Sequence, residues 1–438
     1  MTAGTAGTSG TSGGDHPPTR PTVDLDHHAP AFSADPLTAL RRLQAECPIA
    51  WSESHGGFWV LTRYRDVRDA LTDHGRFSSR HDLEPGSPFQ GVTIPPPPMR
   101  FVPVEVDPPE FFAYRRLLNP LFSPAAVAAV RHRIVAYTDW CLDQVSAAGR
   151  LDFVHDLASP VPAMVTLEIM GLPVAEWRRF ATTFHDLAAS PPGSAGFEAA
   201  VASATAIADD LHQLVADRRS RPGRERRGGI DALVDAEIGG RPLPVDLVVD
   251  IVRLVLAGGI DTTTGAAAGA FAYLGDHHET RQRLAGDPSL LATAVDEVIR
   301  WTTPTPLLGR TTTCPVGWPA GDGASATVDA GAHERVMLNL FAANRDPAAF
   351  SDPDGLVLDR YPNRHVAFGA GIHRCVGANL ARAELQVMIE RVLARMPDYR
   401  LEPGVTGYAS AGVQNGYAAV PASFAAVAPV GADPGFPE

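Results

Sequence analysis

The run Phe368-Gly369-Ala370-Gly371-Ile372-His373-Arg374-Cys375-Val376-Gly377 holds one cysteine in a glycine-punctuated loop, and a helical pattern follows at once with Ala378-Asn379-Leu380-Ala381-Arg382. Glycine tolerates left-handed and crowded backbone, so amide N–H groups there can turn toward a sulfur. The N-terminus of the next helix adds positive potential that favours an ionised thiol. Together these suit a thiolate that must approach a metal closely. Two other uses of the residue compete. A buried cysteine is commonly a small apolar packing group. A zinc site needs four clustered ligands, and cysteines at 47, 141, 314 and 375 contain no C-x-x-C pair to supply them.

A second group lies in Leu256-Ala257-Gly258-Gly259-Ile260-Asp261-Thr262-Thr263, inside the most apolar stretch of the chain. Adjacent glycines cost ~1 kcal/mol each against alanine in a helix interior, and a carboxylate among apolar residues adds desolvation. The glycines could form a notch where another helix crosses, with Thr262 bonding back to a carbonyl. Asp261 is harder to explain by packing. An acid beside an alcohol in a roomy helix can instead relay protons. A third group, Glu297-Val298-Ile299-Arg300, puts opposite charges on one helix face at i, i+3, a pattern that is normally a surface ion pair.

The cysteine loop resembles the haem-ligand signature of the cytochromes P450, matching at Phe368, Gly369, Gly371, His373, Cys375, Gly377, Leu380 and Ala381. The other two groups occur in the family's order. The resemblance runs from about residue 25 to 425 and is nearest to soluble bacterial, ferredoxin-dependent members. It implies a mainly α fold with a small β region, a triangular α-rich prism with haem between the long central helix and the cysteine loop. It implies heme b (iron protoporphyrin IX) with the Cys375 thiolate as axial ligand, whose electron density favours O–O cleavage. His373, Arg310 and Arg115 would hold the haem propionates. Phe111 stands where many members carry a further histidine. Gly258 would face the oxygen site, Asp261 and Thr262 would be the acid–alcohol pair, and Glu297, Arg300 and Arg360 the structural ion triad. The pocket by family position comprises Phe89, Met99, Phe101, Val102, Leu254, Ala257, Thr305, Pro306, Leu307, Ala409 and Ser410, mostly apolar. Phe101-Val102-Pro103 and Gly412-Val413-Gln414 resemble the camphor-hydroxylating type, with Met99 in place of its substrate-binding tyrosine, and only Arg100 offers a carboxylate clamp.

The implied activity is a monooxygenase that hydroxylates a small-to-medium hydrophobic molecule, terpenoid- or polyketide-like. It would use O2 and electrons from NAD(P)H through ferredoxin reductase and ferredoxin. Arg364, Arg374 and Arg382 could receive an acidic ferredoxin, though the last two could equally pack or cap. The alternatives are a peroxide-driven peroxygenase, an aromatic-coupling enzyme, and a non-catalytic haem-binding or recruiting module.

The elements that must position these groups follow from pattern. Pro48–Glu53 and Gly57–Thr62 predict a hairpin around Ser54-His55-Gly56. Helical spacing predicts helices over Arg63–Asp73, Ser123–Arg150, Val174–Ala189 and Phe197–Arg219. The run Val245–Leu274 is apolar on nearly every side and predicts a buried central helix. It carries Asp250, Arg253 and Asp261 and lacks ~18 uninterrupted apolar residues, so it fails as a membrane span. Residues 80–106 hold many prolines and predict a long irregular loop. The basic run from Arg218 to Arg227 predicts a solvated interhelical loop. Residues 1–23 predict a disordered Gly/Thr/Ser-rich tail, neither signal nor anchor, with a single domain over 24–438. Net charge of −13 argues against nucleic acid and anionic membranes as partners. Four cysteines without framework spacing fit a reducing cytoplasm.

Overall fold

Alternating bulky residues on either side of residues 54–56 pair as an antiparallel hairpin, β1 (Ile49–Ser52) with β2 (Phe58–Leu61), joined by a single 3-10 turn. In this computed structural model, residues 20–83, 90–96, 100–191, 193–221, 225, 227–319, 327–409 and 412–436 are described. The expected tail therefore lies mostly outside them. The hairpin belongs to a five-stranded sheet completed by β3 (Phe77–Ser78), β4 (Leu307–Thr312) and β5 (Arg335–Asn339), in the order β1-β2-β5-β4-β3. β5 runs parallel to β2, with Val336 opposite Trp59, and antiparallel to β4, with Val336 opposite Arg310. Trp59 and Leu61 are fully buried beneath it.

The rest is mainly helical. α1 (Tyr64–Thr72) turns its Val67, Ala70 and Leu71 inward, as the spacing predicts. α2 (Glu110–Leu118) leads to α3 (Pro124–Ser146), which begins where Ser123 accepts from the Ala126 amide and proline takes the first turn. α4 (Pro160–Met170) was not expected. Its two prolines look like breakers, but they occupy the first turn, where no amide donor is needed. α5 (Trp177–Ala189) and α6 (Ala195–Ser220) follow, the latter starting two residues early because Ser194 caps it.

α7 (Val245–Asp276) is one continuous helix of 32 residues, ~48 Å long at 1.5 Å per residue. It packs against α4, α5, α6, α8 (Leu291–Thr302) and α9 (Ala378–Arg395). Its small residues permit this: a Cβ on Gly259 would meet Thr166 Oγ1 of α4 at 2.8 Å, and one on Gly269 would meet Thr302 of α8 at 2.6 Å. No described helix is long and apolar enough to cross a membrane.

The basic run departs from its expectation. Arg218 pairs with buried Asp231 at 2.7 Å and donates to the Gly171 carbonyl at 3.0 Å. Arg219 donates to the Leu243 carbonyl. Buried acceptors within reach recruit these two cations as braces, although the neighbouring Arg221 is exposed.

Candidate active site

Gly369 and Gly371 both adopt φ of +67°, a conformation that would strain other residues. At Gly371 space is also short, since a Cβ would sit 2.7 Å from the Leu71 carbonyl oxygen of α1. This folds residues 368–375 into a loop closed by the Cys375 amide donating to the Phe368 carbonyl at 2.8 Å. Cys375 precedes α9, whose N-cap is Gly377. Burial raises the Cys375 thiol above its usual value, against the Gly377 amide and the charges of Arg115, Arg374 and Arg382, which favour the thiolate. Cys375 as a whole residue is nonetheless exposed.

Arg115, Arg310 and His373 come together from α2, β4 and the cysteine loop. Arg310 is 3% exposed, and among the described residues its side chain donates to the carbonyl of Gly309. Burial lowers it to about 10, with Asp107 opposing. No carboxylate pairs directly with Arg115 or Arg310 among the described residues. His373 bonds Ser79 Oγ through Nε2 at 3.1 Å, while its buried Nδ1 has no partner. Burial and the two arginines depress it to about 3. Phe111, which stands where a histidine was expected, packs its ring 4.3 Å from that of His373 and lies under Arg115. Buried Arg310, half-buried Arg115 and an imidazole nitrogen form a cationic cradle that no carboxylate pairs with directly among the described residues. That is the donor set two carboxylates would satisfy, so these residues fit a haem with its propionates.

Glu297 is fully buried and binds Arg300 through both carboxylate oxygens at 2.7 and 2.8 Å. Arg360 reaches the same carboxylate at 3.0 Å, and the Val357 amide donates to it at 2.9 Å. Arg300 also donates to the carbonyls of Asn344, Pro353 and Gly355. The predicted triad is thus assembled, and it fixes the strap from 344 to 360 that leads into the cysteine loop. Arg382 packs over Phe368 at 4.7 Å and pairs with Asp296 at 2.6 Å, which makes it a packing residue, while Arg364 and Arg374 are exposed.

On the other side of α7 lies a cavity of about 290 Å³. Gly258, Thr262, Leu254, Ala257, Phe101, Thr305 and Leu307 line it as expected. The Gly-Gly pair divides its work: a Cβ on Gly258 would meet nothing within 4 Å, whereas Gly259 is the notch for α4. Thr262 Oγ1 donates to the Gly258 carbonyl at 2.7 Å.

Three expected pocket residues lie elsewhere. Val102, next to the inward Phe101, turns into the apolar core, and Ala409 faces outward because its neighbour Tyr408 turns in. Pro306 lines a separate small hollow with Phe341 and Leu40. Phe89, Met99 and Ser410 lie outside the described residues. Arg100 does not line the cavity, so it offers no clamp there.

Asp261 points away from the cavity and is 2% exposed. Tyr408 OH lies 3.0 Å from each of its carboxylate oxygens, and His185 Nδ1 lies 3.2 Å from Oδ1. Burial raises the Asp261 carboxyl above its usual range despite both partners. For His185, burial lowers the value, but Asp261 more than offsets it and the net shift is upward. Asp186, Asp152 and His155 also face this cluster. No hydrogen bond joins Asp261 to Thr262: the alcohol lines the cavity, while the acid is bonded to Tyr408 and lies beside His185.

The pattern gave no sign of His185 or Tyr408, which lie 76 and 147 residues from Asp261. Nor did it mark His27 and Thr93 in the cavity wall, and it named Gln414 there only as part of the Gly412-Val413-Gln414 resemblance. Thr93 Oγ1 and Gln414 Oε1 are buried there without a partner among the described residues, and burial holds His27 down at about 4.

The family model for Cytochrome P450 matches residues 195–403. A steroid C26-monooxygenase of Mycolicibacterium smegmatis is 31% identical over 386 residues, covering 87% of this chain and 91% of that protein. A vitamin D(3) 25-hydroxylase of Pseudonocardia autotrophica is 30% identical, covering 88% and 93%. Among solved structures, a Mycobacterium marinum cytochrome P450 in complex with pseudoionone superposes with a TM-score of 0.82 at 26% identity, covering 93% of this chain and 100% of that one. The Bacillus subtilis polyketide synthase cytochrome P450 PksS superposes with a TM-score of 0.78 at 25% identity, covering 92% and 100%.

Proposed function

The chain belongs to the cytochrome P450 family, and from that premise we propose that it hydroxylates a small-to-medium hydrophobic molecule, terpenoid- or polyketide-like, with electrons from NAD(P)H relayed by a ferredoxin reductase and a ferredoxin. It is a P450 monooxygenase. The observation that carries the substrate reading is the cavity: apolar walls, about 290 Å³, Gly258 and Thr262 on one side, and, at Thr93 and Gln414, two polar atoms without a partner among the described residues. That volume sits at the small end of ligand pockets, ~300–1,000 Å³. Relatives named for steroid, vitamin D and polyketide oxidation support a neutral, polycyclic or branched substrate. The absence of a cation from the described wall disfavours a carboxylate.

When bound, a thiolate-ligated haem would supply the activation of dioxygen for insertion into a C–H bond. Cys375 would hold its iron, and Arg115, Arg310 and His373 would hold its carboxylates. The apolar wall excludes water and orients substrate by shape, while Gln414 Oε1 accepts a hydrogen bond from a substrate hydroxyl. Thr262 Oγ donates to the Gly258 carbonyl, which leaves its lone pairs free to accept a proton donor from the cavity side. Asp261, whose carboxyl is raised by burial, accepts from Tyr408 OH, which lies 3.0 Å from both of its oxygens, with His185 Nδ1 3.2 Å from Oδ1. When Asp261 is protonated, rotation of its side chain would carry the proton to the cavity face of α7. Exposed Arg364 and Arg374 beside the cysteine loop are the cations a ferredoxin would meet.

Turnover of a panel of terpenoids and macrolactones tests this reading. Product should form with dioxygen and NADPH-fed ferredoxin, and a hit should shift the Soret band to the blue. Product only with added peroxide would replace the reading with a peroxygenase. Haem binding with no product under either regime would point to a recruiting module.

A further inference from the structure

Three histidines gather where the N-terminal segment crosses the hairpin. The segment is held there by backbone: Val23 N donates to the Trp51 carbonyl at 2.8 Å, and Trp51 N donates to the Pro21 carbonyl at 2.7 Å. Ser52 Oγ donates to the Leu25 carbonyl at 2.7 Å. These bonds carry His27 and His28 to the turn between β1 and β2, where His55 sits. The ring centroids of His27 and His28 are 4.3 Å apart, and His55 lies 5.2 and 5.3 Å from them. One nitrogen from each ring falls within 4.8 Å of the other two.

We propose that His27, His28 and His55 form a binding site for a divalent transition-metal ion, zinc foremost, in the outer wall of the substrate cavity. Three imidazoles within reach of one point are the donor set zinc takes, with a fourth position left to water or a carboxylate. The outer contacts match that use as well. A metal-bound histidine usually donates its other ring N–H to a carbonyl or carboxylate. Here the Nε2 atoms of His27 and His28 both lie on the Ile94 carbonyl, at 2.5 and 3.0 Å. His55 Nε2 lies 2.8 Å from Asp26 Oδ1, which also accepts from the His28 amide. With Nε2–H donating to Ile94, His27 keeps its lone pair on Nδ1, and that nitrogen is buried without a partner. His27 is 1% exposed while His55 is open to solvent, so an ion has an entry path.

Zinc–nitrogen bonds of ~2.0–2.1 Å set tetrahedral ligands ~3.4 Å apart. The nitrogens lie within 4.8 Å of one another, so they must close by up to about 1.4 Å on an ion. Binding would then tie the N-terminal segment to the hairpin turn. His27 and Ile94 line the cavity, and so does Gly412, where a Cβ would meet His28 Nδ1 at 2.4 Å. An ion here would stiffen that wall and so bear on which molecules enter. The site shares no ligand with Cys375, so its failure would leave the haem reading standing.

Calorimetric titration of zinc into the untagged, haem-loaded, EDTA-dialysed protein tests the proposal. One equivalent should bind at micromolar dissociation constant or tighter. Asp26→Asn should weaken binding by about 10- to 100-fold, as loss of an outer-shell partner does. His28→Gln with His55→Asn should abolish it, asparagine being chosen because it tolerates the left-handed backbone at position 55. Anomalous scattering at the zinc edge should place the ion among the three rings. Binding no tighter than millimolar, or binding unchanged in the double variant, would overturn the site.

Discussion

At the scale of single residues, the cluster around Asp261 makes the sharpest claim. The folded-state values of Asp261 and His185 are both raised, so the native protein holds protons there more tightly than the unfolded chain. The His185 contribution is therefore fully present below the usual histidine value and falls as pH climbs through the raised one, while that of Asp261 is fully present only below the usual carboxylate value and is lost as pH climbs through its own raised value. His185→Phe should flatten that decline, and urea unfolding across the neutral range would detect it. A slope unchanged by the substitution would sever His185 from the cluster. For activity, Tyr408→Phe removes a donor from both Asp261 oxygens. Product formed per NADPH consumed should fall, with peroxide making up the difference, and Asp261→Asn should slow turnover by about 100-fold or more. Asp261 and Thr262 were legible because they are neighbours in a motif. Their partners were not, because contacts across 76 and 147 residues leave no mark in local spacing.

At the scale of elements, α7 and the ion triad divide between packing and chemistry. Gly259→Ala would force a methyl to within 2.8 Å of Thr166 Oγ1, an overpacking that should cost about 1–3 kcal/mol. Gly258→Ala meets nothing, so it should gain up to ~1 kcal/mol in helix propensity while narrowing the cavity. Thermal unfolding of the two variants should move in opposite directions. Equal losses would contradict the division. Glu297→Gln leaves two buried guanidinium groups without their anion, and a loss of about 3–5 kcal/mol is expected. It should appear as folded protein with deficient haem rather than as slow enzyme. The hairpin, α1 and the central helix were readable because their periodicity is local. α4 was missed because prolines at a helix start look like a break. Val102 and Ala409 were misplaced because family position does not say which way a loop side chain turns.

At the scale of the molecule, the sheet and the helical core place a cysteine loop on one side of a cationic cradle and an apolar cavity along the same central helix. The chain carries a net charge of −13, yet buried Arg310 and half-buried Arg115 have no directly paired carboxylate among the described residues. An acidic protein that concentrates such cations in one place is built around an anionic ligand. Gln414→Leu would test the cavity directly: affinity for a hydroxylated ligand should drop by about tenfold, in the range of one hydrogen bond, while that for the matching hydrocarbon should hold. A parallel loss for both would make Gln414 a packing residue. The central claim is the bond from Cys375 to a haem iron. The carbon monoxide difference spectrum of the reduced, haem-reconstituted protein reads it most directly. The account predicts the long-wavelength Soret band of a thiolate-ligated carbonyl complex, lost in Cys375→His. A natively folded protein that showed only the shorter-wavelength band, or the same spectrum in that variant, would contradict it.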